Sequence, residues 1–153
     1  MIKPQSTEYL SLRGKTVFVT GGASGIGAEI VKAFAEQGAK VGFVDMDRQG
    51  SEALLAELTG EQIFAECDLR DIDALKVAFS KLAAKLGPAE VLVNNAARDD
   101  RHDWLDVTAE YLDERQNNHL RHMFFAIQAV AYGMIASGGR PIPTMASNSL
   151  LSS

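Results

Sequence analysis

Gly21, Gly25 and Gly27 fall within the stretch Thr20-Gly-Gly-Ala-Ser-Gly-Ile-Gly27. Glycine permits a tight turn and lets a ligand approach the backbone closely. An apolar run, Thr16-Val-Phe-Val-Thr20, precedes the stretch, and Ile26, Ile30, Val31 and Phe34 recur after it at helical spacing. A strand, a glycine turn and a helix start in that order form a site for a pyrophosphate. The free N–H groups of the first helical turn and the helix dipole both favour negative charge there. Asp45 closes the next apolar run, Val41-Gly-Phe-Val-Asp45. A carboxylate at that place can accept hydrogen bonds from both ribose hydroxyls of an adenosine and would repel a 2′-phosphate, which argues for NAD over NADP. Arg48 is a nearby cation that weakens this exclusion.

The elements that must hold these residues are legible from periodicity. The first dozen residues read as an irregular lead-in. The first helix ends near Gly38, a C-cap glycine. A second helix spans Ser51 to Leu58 with Leu54, Leu55 and Leu58 on one side, and Gln62–Glu66 is a weaker third strand. Asp71 is an N-cap for a helix whose inward stripe is Ile72, Leu75, Phe79, Leu82 and Leu86, stopped by Gly87-Pro88. Val91–Asn95 is the fourth strand. A long helix runs from Thr108 to about Ser137, with Leu112, Leu120, Met123, Ile127, Val130 and Met134 on one face. Strands therefore alternate with helices four times. Continuous apolar strands joined by helices imply an α/β, doubly wound parallel sheet of Rossmann type, covered on both faces. A fifth strand is due near Arg140–Ser147, where Pro141 and Pro143 lack the backbone N–H a central strand needs. Residues 138–153 read as an irregular tail to a single domain, 1–153, that is incomplete at its C-terminus.

Composition narrows the function classes. The 153 residues are 46% apolar and 23% charged, with a net charge of −5, which excludes a disordered tail, a collagen-like fibre and a disulfide miniprotein. Mild acidity argues against non-specific binding of nucleic acid. Cys67 stands alone, so it reads as a small buried hydrophobe and offers no thiolate metal site. His102, His119 and His122 are scattered without carboxylate spacing, so no metal is expected. His102 and His122 read as partly exposed polar residues. No run approaches the ~20 apolar residues of a membrane helix, and Met1–Arg13 lacks a signal-peptide stretch. No membrane partner is expected, and the cytoplasm is the simplest location.

The spacing Thr-Gly-x-x-x-Gly-x-Gly resembles that of the short-chain dehydrogenases/reductases. Asp68-Leu69 is similar to the family's adenine-contacting pair, and Asn94-Asn95-Ala96 to its Asn-Asn-Ala-Gly segment, with Ala97 in place of the last Gly. The segments Asn94–His102, Asp113-Glu-Arg115 and Leu120–Met123 resemble the branch of bacterial D-xylose and other sugar 1-dehydrogenases. The resemblance implies hydride transfer between NAD and an alcohol or sugar hydroxyl. It implies cofactor contacts from Gly21, Ser24, Gly25, Ile26, Gly27, Asp45, Asp68, Leu69, Asn95 and Ala96. Ser147 matches the catalytic Ser, with Ser149 the nearby alternative. The family's Tyr-x-x-x-Lys has no counterpart here, because Tyr9, Tyr111 and Tyr132 are followed four residues on by Arg13, Arg115 and Ala136. His119 stands where the family's relay Asn belongs, beside Asn118. The chain thus reads as the N-terminal part of such an enzyme, the pair being expected beyond Ser153. By itself it is expected to show no appreciable turnover. Family members form homo-oligomers through the long helix. A non-catalytic NAD-binding remnant and a partner subunit of an intact relative remain as alternatives.

Overall fold

The computed structural model describes residues 7–97, 103–136 and 145–146. The chain alternates β1 (Thr16–Thr20), α1 (Gly25–Glu36), β2 (Lys40–Asp45), α2 (Arg48–Glu57), β3 (Gln62–Glu66), α3 (Ile72–Leu86), β4 (Val91–Asn94), α4 (Ala109–Ala136) and β5 (Met145–Ala146). The strands lie in the order β3-β2-β1-β4-β5, each paired parallel to its neighbours. This is the doubly wound arrangement expected from the sequence.

Every residue of β1 is buried because both faces of the sheet are covered. Val17 and Val19 join Val41, Phe43 and Val93 under α1 and α2, where Val31 and Leu54 close the layer. Phe18 and Leu92 face the other way, against Leu75, Phe79 and Leu82 of α3 and Ala126, Val130 and Met134 of α4. Each fully buried Val, Leu or Phe stabilises the fold by roughly 1.5–3 kcal/mol relative to an exposed one. Alternate residues of one strand thus serve two cores, which is why the strands read as continuous apolar runs.

Helix ends follow local chemistry. The Asp71 carboxylate accepts from the N–H groups of Asp73 and Ala74, both at 3.0 Å. Gly87, at φ +92°, donates its N–H to Ala83 O and ends α3. Asp47 caps α2 by accepting from Gly50 N–H at 3.0 Å, so α2 begins at Arg48, three residues before the sequence expectation of Ser51. Among the described residues of the lead-in, Leu10–Leu12 form a 3-10 turn where irregular chain was expected.

The inward line of the long helix departs in part from the expected stripe. Val130 and Met134 are buried as expected, whereas Leu112, Leu120 and Ile127 are exposed and Ala126 is buried instead. His122 is buried with them, contrary to its reading as a partly exposed residue. The buried line repeats every four residues and uses small Ala126 to bring the helix near the sheet. A count of large apolar residues overlooks such a line. Ile26 is likewise 71% exposed, while Gly27, Ala28 and Val31 are the buried residues of α1. Of the expected tail 138–153, Met145 and Ala146 form β5; Pro141, Pro143 and Ser147 lie outside the described residues. Among the described residues no helix is long and apolar enough to cross a membrane.

Glu90 ties the start of β4 to β1. It accepts from Lys15 Nζ at 2.6 Å and from the Thr16 N–H at 3.1 Å. Lys15 foremost holds the Glu90 carboxyl below its ordinary range. A depressed folded-state value means stability that is present above the unfolded value, about 4.3 for Glu, and is lost as pH falls through the folded value. The pair is partly solvated, so Glu90→Gln is expected to cost no more than about 1 kcal/mol at pH 7. Urea melts at pH 7 and pH 3 test this, since the difference between the two proteins should narrow as pH falls.

Candidate functional site

The C-terminal ends of β1, β2 and β4 converge, and the segments leaving them pack against one another. Gly21 and Gly22 both donate their N–H to Val44 O, at 2.8 and 3.4 Å, so the glycine turn is laced to β2. Gly21 adopts φ +69°, and a Cβ there would meet Ala96 Cα at 2.8 Å. A Cβ at Gly27 would stand 1.8 Å from Gly21 O and 2.5 Å from Asn95 Nδ2. Gly25, at φ +53°, has open space where its Cβ would be. Gly27 is therefore glycine for lack of room, Gly25 for its backbone conformation alone, and Gly21 for both.

Ser24 is the N-cap residue of α1, in extended conformation, and its side chain makes no capping bond. The first amides of a helix have no partner within it, and here the cap residue leaves them for another acceptor. The exposed Ile26 sits in that first turn.

Thr20 and Asn95 brace the turn from the β4 side. Thr20 Oγ1 accepts from the N–H groups of Asn95 and Ala96 at 3.1 and 3.2 Å. Asn95 Nδ2 donates to Gly21 O at 2.9 Å and to Thr20 O at 3.3 Å. Thr20 is fully buried, so Thr20→Val would leave two part-buried donors without their acceptor. A loss of about 2–3 kcal/mol is expected, with Thr20→Ser close to wild type, and equilibrium denaturation measures both. The signal for this role was in the sequence: a hydroxyl residue ending an apolar strand immediately before Gly-Gly. Read from sequence, Thr20 is only the first residue of the glycine motif.

Asp45 is bound on two sides. Its Oδ2 accepts from the Ala23 N–H at 2.9 Å and its Oδ1 from the Asp47 N–H at 3.0 Å. The carboxylate is only partly buried and stands at the glycine turn. Beside it on β3 is Glu66, which the sequence reading did not single out. Glu66 Oε2 accepts from Arg48 Nε and Nη2, at 2.9 and 2.5 Å. The cation near Asp45 is thus already engaged.

Asp68 and Leu69 follow β3. Asp68 pairs with Arg70, accepting from Nη2 at 2.6 Å, and that pairing holds its carboxyl below the ordinary range. Leu69 packs against the α3/α4 core. Cys67, just before them, is buried. Desolvation first, then Asp68 and Asp71, push its thiol up to about 11, so it stays protonated, consistent with a small hydrophobe. Among the described residues no group of three or more His, Cys, Asp or Glu could hold a metal. Ser147, Ser149 and His102 lie outside the described residues, as do the side chains of Asn118 and His119.

A family model described as short chain dehydrogenase matches residues 15–151. The chain belongs to the short-chain dehydrogenases. Members of this family bind nicotinamide cofactors. Among them the chain is 51% identical over 137 residues to a D-xylose 1-dehydrogenase of Caulobacter vibrioides, covering 88% of this chain and 54% of that one. It is 47% identical over 150 residues to a protein of Rhizobium meliloti named a probable galactose dehydrogenase, covering 95% and 59%. Among solved structures, a short chain dehydrogenase from Burkholderia cenocepacia in complex with NADP superposes with a TM-score of 0.72 at 32% identity, over 80% of this chain and 51% of that one. The chain spans about half the length of the curated relatives it matches.

Proposed function

We propose that this short-chain dehydrogenase chain supplies the nucleotide-binding half of an NAD-dependent dehydrogenase that oxidises a sugar or similar alcohol. The observation that carries the reading is the Gly21–Gly27–Asp45 cluster. Two positions have no room for a side chain, a helix N-terminus lacks a side-chain cap, and a carboxylate borders the same turn. Those features suit a dinucleotide. The amides of Gly25, Ile26 and Gly27, with Ser24, would hold the pyrophosphate against the positive end of α1. Asp45 would accept the adenosine ribose hydroxyls and disfavour a 2′-phosphate. Asp68 and Leu69 would flank the adenine, and Asn95 and Ala96 would fix the turn from the β4 side. When bound, the nicotinamide supplies the hydride-accepting carbon. Ser147 would hold the substrate hydroxyl oxygen, and the general base would come from a Tyr-x-x-x-Lys that residues 1–153 do not contain.

The sugar reading rests on the relatives named for D-xylose and galactose. Its test has two stages. Calorimetry on the 153-residue chain should show NAD binding. The polypeptide its gene encodes should then form NADH from a panel of aldoses. Binding of NAD without oxidation of any aldose or other alcohol would leave a nucleotide-binding module and refute the dehydrogenase activity.

A further inference from the structure

Asp45 and Glu66 are register partners at the C-terminal ends of β2 and β3. Register partners on adjacent parallel strands present their side chains to the same face of the sheet. Two residues earlier, Phe43 and Phe64 show this directly, with ring centroids 5.5 Å apart. The two carboxylates therefore leave the same face side by side, next to the turn that Asp45 holds through Ala23. Arg48 opens α2, three residues after Asp45. Its guanidinium donates through Nε and Nη2 to Glu66 Oε2, and its Nη1 lies 3.6 Å from Glu52 Oε1. A cation close to the ribose position of this fold is the group that would accommodate a 2′-phosphate. Here it is clamped between two carboxylates, one of them adjacent to Asp45.

We propose that Glu66 is a specificity-determining residue of this chain, one that favours NAD by keeping the Arg48 guanidinium engaged and by adding a second negative charge beside Asp45. The inference rests on the NAD reading above. A 2′-phosphate entering this corner must compete with Glu66 for Arg48 while facing two carboxylates. Neutralising Glu66 removes the competitor and one of the repelling charges together. Asp45 remains, so NADP would gain without displacing NAD.

The experiment is calorimetric titration of NAD and of NADP into the full 153-residue chain and its variants. Glu66→Gln is expected to bind NADP about tenfold more tightly than wild type, the scale of one charge-assisted hydrogen bond, with NAD affinity kept within about twofold. Retained NAD affinity shows that the variant is folded. Adding Arg48→Ala to Glu66→Gln should remove most of the NADP gain and leave only the smaller part that comes from the lost negative charge, and the gain should shrink at high salt because the group is exposed. An unchanged ratio of NADP to NAD affinity in Glu66→Gln, or a gain that Arg48→Ala does not diminish at all, overturns the proposed role of Glu66 while leaving the NAD reading intact. A wild-type chain that binds neither nucleotide, or prefers NADP, overturns the NAD reading and this inference with it.

Discussion

Gly27→Ala is expected to abolish measurable NAD binding and to destabilise the chain by about 3 kcal/mol or more, the upper range for forcing a methyl group into a packed site. The added carbon would stand 1.8 Å from Gly21 O, far inside van der Waals contact, and 2.5 Å from Asn95 Nδ2. Neither neighbour can yield cheaply. Gly21 O accepts the Asn95 amide, and the Gly21 N–H is bonded to Val44 O. Moving α1 outward instead would open the packing of Val31 against β1 and β2. Gly25→Ala is the control. Its Cβ meets nothing within 4 Å, so its cost is only the left-handed backbone, about 1–2 kcal/mol. A Gly27→Ala chain as stable as Gly25→Ala would show that the close approach of α1 to the turn is not rigid.

Asp45→Ala carries the second large effect. NAD affinity is expected to fall about 100-fold, the scale of one to two hydrogen bonds to a charged group. Part of that loss is indirect, because the Ala23 N–H loses its acceptor and the turn loses one of its ties to β2. Asp45→Asn separates the two contributions. Its amide oxygen can still accept from Ala23 but carries no charge, so NAD should weaken about tenfold and discrimination against a 2′-phosphate should relax. Titration of both nucleotides measures both numbers. An NAD affinity in Asp45→Ala within twofold of wild type would remove Asp45 from the site.

The fold was legible because its strands serve two cores. Val17, Phe18 and Val19 can all be apolar only if both faces are covered, and that pattern implies a parallel sheet without any template. Caps were legible where one residue decides, as at Asp71 and Gly87. The inward line of α4 was legible only at Val130 and Met134, because Ala126 and His122 are buried through closeness to the sheet, which hydrophobicity does not encode. The site was half legible. Glycine spacing and Asp45 announce a nucleotide turn, but sequence does not say which glycines lack room and which need positive φ. Gly27 and Gly25 look alike as letters and differ wholly in their surroundings. Glu66 was invisible for another reason. Its place beside Asp45 follows from strand register, which becomes known only once β2 and β3 are paired.

The brace from Thr20 to Asn95 also bears on how the protein folds. The turn, α1 and β2 all come from residues 16–45, a continuous segment. Thr20 Oγ1, however, takes its donors from the far side of the β1–β4 pairing, 75 residues along the chain. Closing so long a loop carries its entropy cost before the contact is gained, and such pairings form late. The glycine turn would therefore be held in its final shape only after β2, β3 and α3 have already been laid down. Competence to hold a nucleotide would then mark the completion of folding, and could be used in stopped-flow refolding as a signal of its last step.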